Sequence, residues 1–186
     1  VTTNTYDTDE LYRLQNRTTV AKDENIQDLT YTYDQVGNIT EIIDDSVTTT
    51  AKTVNYTYDD LHRLLSATIT DAAEGSPGNS VQTFTYDAIG NITYKSDVGN
   101  YSYNGNQGDS YANPHAVTTA GDFQYDYDEN GNLIQVYSLM NDDTKSYSWD
   151  YNNRLTSVSI NAVTSTYAYD VDGQRIKEVT PSGTSY

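Results

Sequence analysis

Carboxylates are the groups that this sequence supplies in the number and spacing that chemistry needs. Asp44/Asp45, Asp59/Asp60 and Asp142/Asp143 are adjacent pairs, and two carboxyls set roughly 5 to 10 Å apart are the acid and base of a glycosidase. Asp126-Tyr127-Asp128-Glu129-Asn130-Gly131 matches the first half of a calcium loop, with alternating oxygen ligands before a glycine bend. The position that closes such a loop is Tyr137, which has no bidentate carboxylate. His62 and His115 are the only histidines, and there is no cysteine to complete a zinc or nucleophilic set. Each group also has a plainer reading as a turn former. That reading is preferred throughout, because the carboxylates recur where hairpin turns belong instead of converging on one place. The expectation is no catalytic residue, no cofactor and no metal.

Composition excludes other classes. The formal net charge is −17, from 27 acidic and 10 basic residues, which opposes binding to nucleic acid or to an anionic membrane by phosphate neutralisation. No apolar run approaches the ~18 residues of a membrane helix, so no membrane insertion is expected. Acidity with a mean hydropathy of −0.73 resembles a disordered chain, but the periodic Tyr, Ile, Val and Thr contradict that. The aromatic content is 19 Tyr against two Phe and one Trp. Such side chains can bury a ring face and keep a wet hydroxyl.

The elements that position the carboxylates follow from Tyr31-Thr32-Tyr33-Asp34-Gln35-Val36-Gly37-Asn38-Ile39-Thr40. Tyr31 and Tyr33 share one face of a strand. Asp34 ends it with a carboxylate able to accept amides of the next turn, Gly37-Asn38 tolerates positive φ, and Ile39 begins the return strand. Versions of this stretch recur with closing aspartates at Asp9, Asp34, Asp59, Asp87, Asp128, Asp150 and Asp170, spaced by 25, 25, 28, 41, 22 and 20 residues; a weaker copy has Asn104 there. A period of this size means a repeat architecture. Four residues after the anchors stand Arg13, Asn38, Arg63, Asn91, Asn132, Arg154 and Gln174, so Arg-type and Gly-Asn-type turns nearly alternate. The repeat motif is carried by Tyr33, Asp34, Gly37 and Asn38; Tyr58, Asp59 and Arg63; Tyr86, Asp87, Gly90 and Asn91; Tyr127, Asp128, Gly131 and Asn132; Trp149, Asp150 and Arg154; and Tyr169, Asp170 and Gly173.

Approach strands alternate with period two, as in Leu29/Tyr31/Tyr33 and Val54/Tyr56/Tyr58. Return strands instead place apolar residues three apart, in Ile39/Ile42, Leu133/Val136, Leu155/Val158 and Ile176/Val179. That spacing fits either a bulge or two-sided burial. All three prolines keep to connections, in 71–79, 105–119 and 180–185, as a sheet requires.

The repeated Tyr-Asp-x-x-Gly-Asn-Ile and Tyr-Asp-x-x-x-Arg-Leu units, with Asn113-Pro114-His115-Ala116-Val117-Thr118 between copies, resemble RHS/YD repeats over essentially the whole chain. The family includes bacterial polymorphic toxins, insecticidal toxin complexes, wall-associated proteins and teneurin ectodomains. The resemblance implies an all-β fold of repeated antiparallel hairpins wound into a spiral ribbon, hollow shell or barrel-like wall. Residues 1–186 are read as one continuous array of seven to eight hairpins, excerpted from a larger chain or forming an assembling subunit. The function implied is a structural wall of a secreted or cell-surface protein, enclosing a payload or building a scaffold or filament. Its partners are neighbouring repeats, further copies added strand to strand, and an enclosed effector. The alternative is an adhesive module that binds a surface glycan or a receptor through tyrosine strips such as Tyr125 and Tyr127, with ladder packing between hairpins as the plainer account of those rings.

Overall fold

The structure, a computed structural model, describes residues 1–9, 11–46, 51–71, 79–104 and 113–186. Pro77 and residues 105–112 of the second proline loop lie outside the described residues. Every regular element described is a strand: β1 (Thr2–Tyr6), β2 (Leu14–Ala21), β3 (Glu24–Tyr33), β4 (Ile39–Asp44), β5 (Lys52–Tyr58), β6 (Leu64–Asp71), β7 (Ser80–Tyr86), β8 (Ile92–Lys95), β9 (Gly99–Ser102), β10 (Thr119–Ala120), β11 (Phe123–Tyr127), β12 (Leu133–Ser138), β13 (Thr144–Trp149), β14 (Leu155–Ile160), β15 (Val163–Tyr169), β16 (Arg175–Thr180) and β17 (Gly183–Ser185). The fold is all-β, and every strand pair whose register is given below is antiparallel. Two compact units divide the chain, Val1–Thr85 with Lys95–Asp97 and Tyr86–Tyr94 with Val98–Tyr186.

In the first unit β1 through β7 pair in chain order. In the second, β9 through β17 do the same. Partners directly opposite each other share a face. One face of the first unit therefore carries the ladder Tyr31, Ile42, Val54 and Ile69 across four strands, and in the second Tyr147, Val158 and Ser165 run in the same way. The opposite face is built of small polar side chains, with Thr57, Ser66 and Thr83 in one row and Ser148, Ser157 and Thr166 in another.

The three-residue spacing of the return strands is a bulge. Tyr33 faces Ile39 while Thr32 faces Glu41, so Thr40 is an extra residue. The same break makes Leu65, Ile134, Thr156 and Ile176 extra in later hairpins, and Gln15 in the first. Ile39 and Ile42, two apart once the bulge is discounted, come back to one face. Ile176/Val179 is not equivalent. There Arg175 faces Tyr169 and Glu178 faces Tyr167, so Ile176 is the bulged residue and is half exposed.

Little is buried. Among the described residues the only buried apolar side chains are Ala67 and Ala120, joined by the polar Asn91 and Ser138. Within each unit the described strands form one sheet paired in chain order, and the half-buried rings stand beside cross-strand neighbours on its aromatic face. Tyr31, Tyr33, Tyr56 and Tyr58 are half-buried, whereas Thr32 and Thr57 between them are exposed.

Candidate functional site

The recurring polar groups come together at one end of each hairpin. In the β3–β4 turn the Asp34 Oδ1 accepts N–H groups of Val36 (3.1 Å), Gly37 (2.8 Å) and Asn38 (2.8 Å), and Oδ2 accepts from Asn38 Nδ2 (2.8 Å). The Asp34 N–H donates to the Asn38 carbonyl (2.9 Å) and closes the loop. Gly37 takes φ +100°, where a side chain is strained. Asp87 and Asp128 hold Asn91 and Asn132 in the same way. Asp59 and Asp150 exchange the asparagine for an ion pair, with Arg63 Nε and Arg154 Nε each at 2.7 Å. Asp170 keeps the backbone half of the pattern, accepting from Asp172 N (3.0 Å) and Gln174 N (2.8 Å).

These bonds favour the charged carboxylate. The Arg63 N–H, and to a lesser degree its guanidinium, hold Asp59 below the usual carboxylate value, and Arg154 does the same for Asp150. In Asp34, Asp87 and Asp128 partial desolvation pushes upward, but hydrogen bonds from Asn38, Asn91 and Asn132 and their turn amides outweigh it.

The first copy is a correction. Its closing aspartate is Asp7 and not Asp9: the Asp7 N–H donates to the Arg13 carbonyl (2.8 Å), its Oδ1 accepts from Asp9 N (2.7 Å), and Tyr6 faces Leu14. The turn is two residues longer than the others. It places Leu11 and Tyr12 at φ 65° and 55°, both largely exposed.

A second interaction links several hairpins to the one before. The aromatic residue preceding the aspartate reaches back to the carbonyl beside the preceding bulge: Tyr33 Oη to Leu14 O (2.8 Å), Tyr58 to Ile39 (2.7 Å) and Tyr169 to Leu155 (2.8 Å). The extra residue interrupts the strand ladder at that point, and the hydroxyl supplies a donor. Trp149 does the same with its indole Nε1–H to Leu133 O (2.8 Å), which explains how a tryptophan serves at a tyrosine position. Tyr103, beside the weaker anchor Asn104, donates to Ile92 O (3.0 Å), and Tyr127 donates to Val117 O (3.0 Å). Burial raises the hydroxyl pKa of Tyr33, Tyr58, Tyr103 and Tyr127, with smaller contributions from nearby tyrosines. Sequence alone shows these aromatics as rungs. The sign that they are also donors is the Tyr-to-Trp exchange, which retains an X–H group.

The residue that closes an aspartate turn, four after the aspartate in the regular copies and six after Asp7 in the first, ties its turn to the next one. Arg13 Nη1 and Nη2 donate to the carbonyls of Asp34 (2.8 Å) and Gln35 (3.2 Å), and Arg154 Nη1 to that of Asp170 (3.1 Å). Both guanidiniums lie over a tyrosine of the next hairpin, Arg13 at 5.6 Å from the Tyr33 centroid and Arg154 at 5.0 Å from that of Tyr169. Asn38 Nδ2 donates to His62 Nδ1 (3.0 Å), Asn132 Nδ2 to Asn153 Oδ1 (2.8 Å) and Asn91 Nδ2 to Pro114 O (2.7 Å), while His115 Nδ1 donates to Asn91 Oδ1 (2.7 Å). Both histidines are thus engaged in joining turns.

The paired carboxylates are not brought into a common cleft. Asp44 accepts from Ser46 N (3.0 Å), Tyr137 Oη donates to Asp142, and Asp143 accepts from Asn141 Nδ2 and Asn161 Nδ2, each at 2.7 Å. The oxygens of Asp128, a ligand in the calcium reading, are directed at turn donors. A groove of about 340 Å³ lies along Asp7, Arg13, Gln15, Tyr31, Thr32 and Tyr33, but it is open and its Arg13 is committed to the neighbouring turn. What the arrangement does chemically is hold hairpins in fixed order by hydrogen bonds.

The teneurin YD-shell family profile matches residues 1–186. No curated protein matches the chain in sequence. Among solved structures, a Photorhabdus luminescens Tc holotoxin pore is similar with a TM-score of 0.55 and 23% identity, covering 98% of this chain and 11% of that one. The TcdB2–TccC3–Cdc42 crystal structure is similar with a TM-score of 0.53 and 21% identity, covering 96% and 11%. At this identity the likeness is one of fold, and the chain spans about a tenth of the length of those proteins.

Proposed function

The chain belongs to the teneurin YD-shell family, and from that premise we propose that it is a stretch of structural wall, a continuous array of β-hairpins in a secreted or cell-surface protein, wound so as to enclose a payload or build an extracellular scaffold. The observation that carries this reading is the repeated tie from one hairpin's Tyr Oη or Trp Nε1 to the bulge carbonyl of the one before. A bond that recurs in this way from hairpin to hairpin serves to extend a sheet. The similar structures come from multi-component toxin assemblies by their names, which supports an enclosed effector and further repeats as partners. Strand addition is the route by which further copies join.

The adhesive alternative, glycan binding by the Tyr125 and Tyr127 strip, is less well supported. Both rings are half-buried, and the Tyr127 hydroxyl is spent on Val117 O.

The native polypeptide that carries this array provides the test. Enclosure predicts a segment of that polypeptide that resists protease until the array is broken by Asp59→Ala and Asp150→Ala together; equal cleavage before and after removes it. Self-assembly through strand edges predicts sedimentation above 20.8 kDa for the isolated 186-residue chain, and a monomer counts against it.

A further inference from the structure

The alternation of turn types has a geometric consequence. In turns led by Arg13 and Arg154, the guanidinium crosses to the following turn and lies against its left-handed position, which is Gly37 in one case and Gly173 in the other. A Cβ on Gly37 would stand 3.6 Å from Arg13 Nη2, and one on Gly173 would stand 4.0 Å from Arg154 Nη1. The Cβ itself fits, but atoms beyond it enter the space that the guanidinium holds. In turns led by Asn38 and Asn132 the amide does not bond the next backbone. It meets a side chain instead, and that side chain stands on the left-handed position of the following turn: His62 at φ 61° and Asn153 at φ 58°. Glycine takes such a position at least cost and Asn and His tolerate it better than most residues, so among the side chains the backbone admits at His62 and Asn153 both are ones that can also bond the neighbouring amide. His115, outside any aspartate turn, offers the same ring to Asn91.

We propose that the turn edge is a recognition surface with a two-letter code: a turn whose arginine crosses to the following turn, as those of Arg13 and Arg154 do, accepts as its neighbour only a turn with glycine at the left-handed position, and an Asn-type turn selects a neighbour that carries a hydrogen-bonding side chain there. The partner each turn fits is thus a hairpin of the opposite type. Stretches of the polar face are runs of Ser and Thr that specify order weakly, and there the code supplies order and register that the strands leave open. It acts whether or not the wall encloses anything.

The test is a pair of double-mutant cycles on the full chain, read as urea unfolding midpoints. Gly90 has φ +94° and nothing within 4 Å of a built Cβ, so Gly90→Asn reports the backbone cost alone. Gly37→Asn should lower the midpoint further than Gly90→Asn, and Arg13→Ala should abolish the excess, a coupling of about fivefold or more in the unfolding constant. In the reverse direction, Asn132→Arg should destabilise the chain while Asn153 is present and be tolerated with Asn153→Gly, since Arg at 132 can pair with Asp128 as Arg154 pairs with Asp150. This second pair stands independently should Gly37→Asn prevent folding. Equal penalties for Gly37→Asn and Gly90→Asn, or an Asn132→Arg effect indifferent to residue 153, would overturn the code.

Discussion

The two ends of a hairpin in this protein are unlike. At the aspartate end one solution recurs: carboxylate into turn amides, bulge, aromatic donor onto the freed carbonyl, and a side chain across to the next turn. At the far end the solutions vary. Lys22-Asp23 and Asn161-Ala162 make two-residue turns with both residues at positive φ, the primed geometry that suits strand twist. Lys95 and Asp97 close another with an ion pair at 2.9 Å, and Thr144 N donates to Asn161 Oδ1 (3.0 Å). The far ends close by varied means, and the Asn161 turn is itself tied to the preceding far-end turn through Asp143 and Thr144. The aspartate ends join hairpin to hairpin in several copies, and that is where stability and register concentrate.

Acid provides the broadest way to break the contrast, because it acts on five aspartate turns at once. The carboxyls of Asp34, Asp59, Asp87, Asp128 and Asp150 titrate below their ordinary value of 3.8 in the folded chain. The unfolded chain therefore binds more protons near pH 3, and stability that is complete above about pH 4 is lost as pH falls. Urea midpoints taken between pH 6 and pH 2.5 should fall steeply and in concert. At the other extreme, Tyr33, Tyr56, Tyr58, Tyr125 and Tyr127 titrate above 10.0. Their contribution is complete below about pH 10 and declines as pH rises beyond it, which an absorbance titration of tyrosinate alongside circular dichroism will follow.

Next in size, Asp59→Ala strips the turn acceptor from two amides and the Arg63 Nε. It should lower the melting temperature more than any single far-end change, including Asp97→Ala. A smaller and more pointed effect is expected of Tyr58→Phe, which keeps the ring and removes the donor to Ile39 O, and of Trp149→Phe, which removes the donor to Leu133 O together with part of the indole. Tyr58→Phe should cost about 1 kcal/mol, roughly 2 to 4 °C for a chain of this size, and Trp149→Phe more. If Trp149→Tyr costs as much as Trp149→Phe, the indole is packing and not donating. Smallest of all, Lys95→Ala at the far end should change stability by less than about 0.5 kcal/mol, as an exposed ion pair does.

Much of this was legible in the residues. The alternation of Tyr31 and Tyr33 with Thr32 placed the aromatic rings on one face, since a strand's period is two wherever it runs. The spacing of Asp34 from Gly37 and Asn38 announced a hairpin turn, because the bonds that close it are local. The bulge was half legible: Ile39/Ile42 signalled an irregularity, and only pairing with the neighbour strand showed which residue was extra. The same ambiguity misplaced the first anchor, where Asp9 keeps the spacing to Arg13 but Asp7 keeps the register to Leu14.

The sequence by itself determined the repeat, the hairpins, the aromatic face and the kinship, all properties of residues within about ten positions of one another. Tertiary structure alone decided what the conserved-looking groups hold. Tyr58 reaches Ile39, Arg13 reaches Asp34 and Asn132 reaches Asn153, across some 20 residues and from one hairpin to the next. No local pattern encodes such a contact, because it depends on the register in which two separately formed hairpins meet.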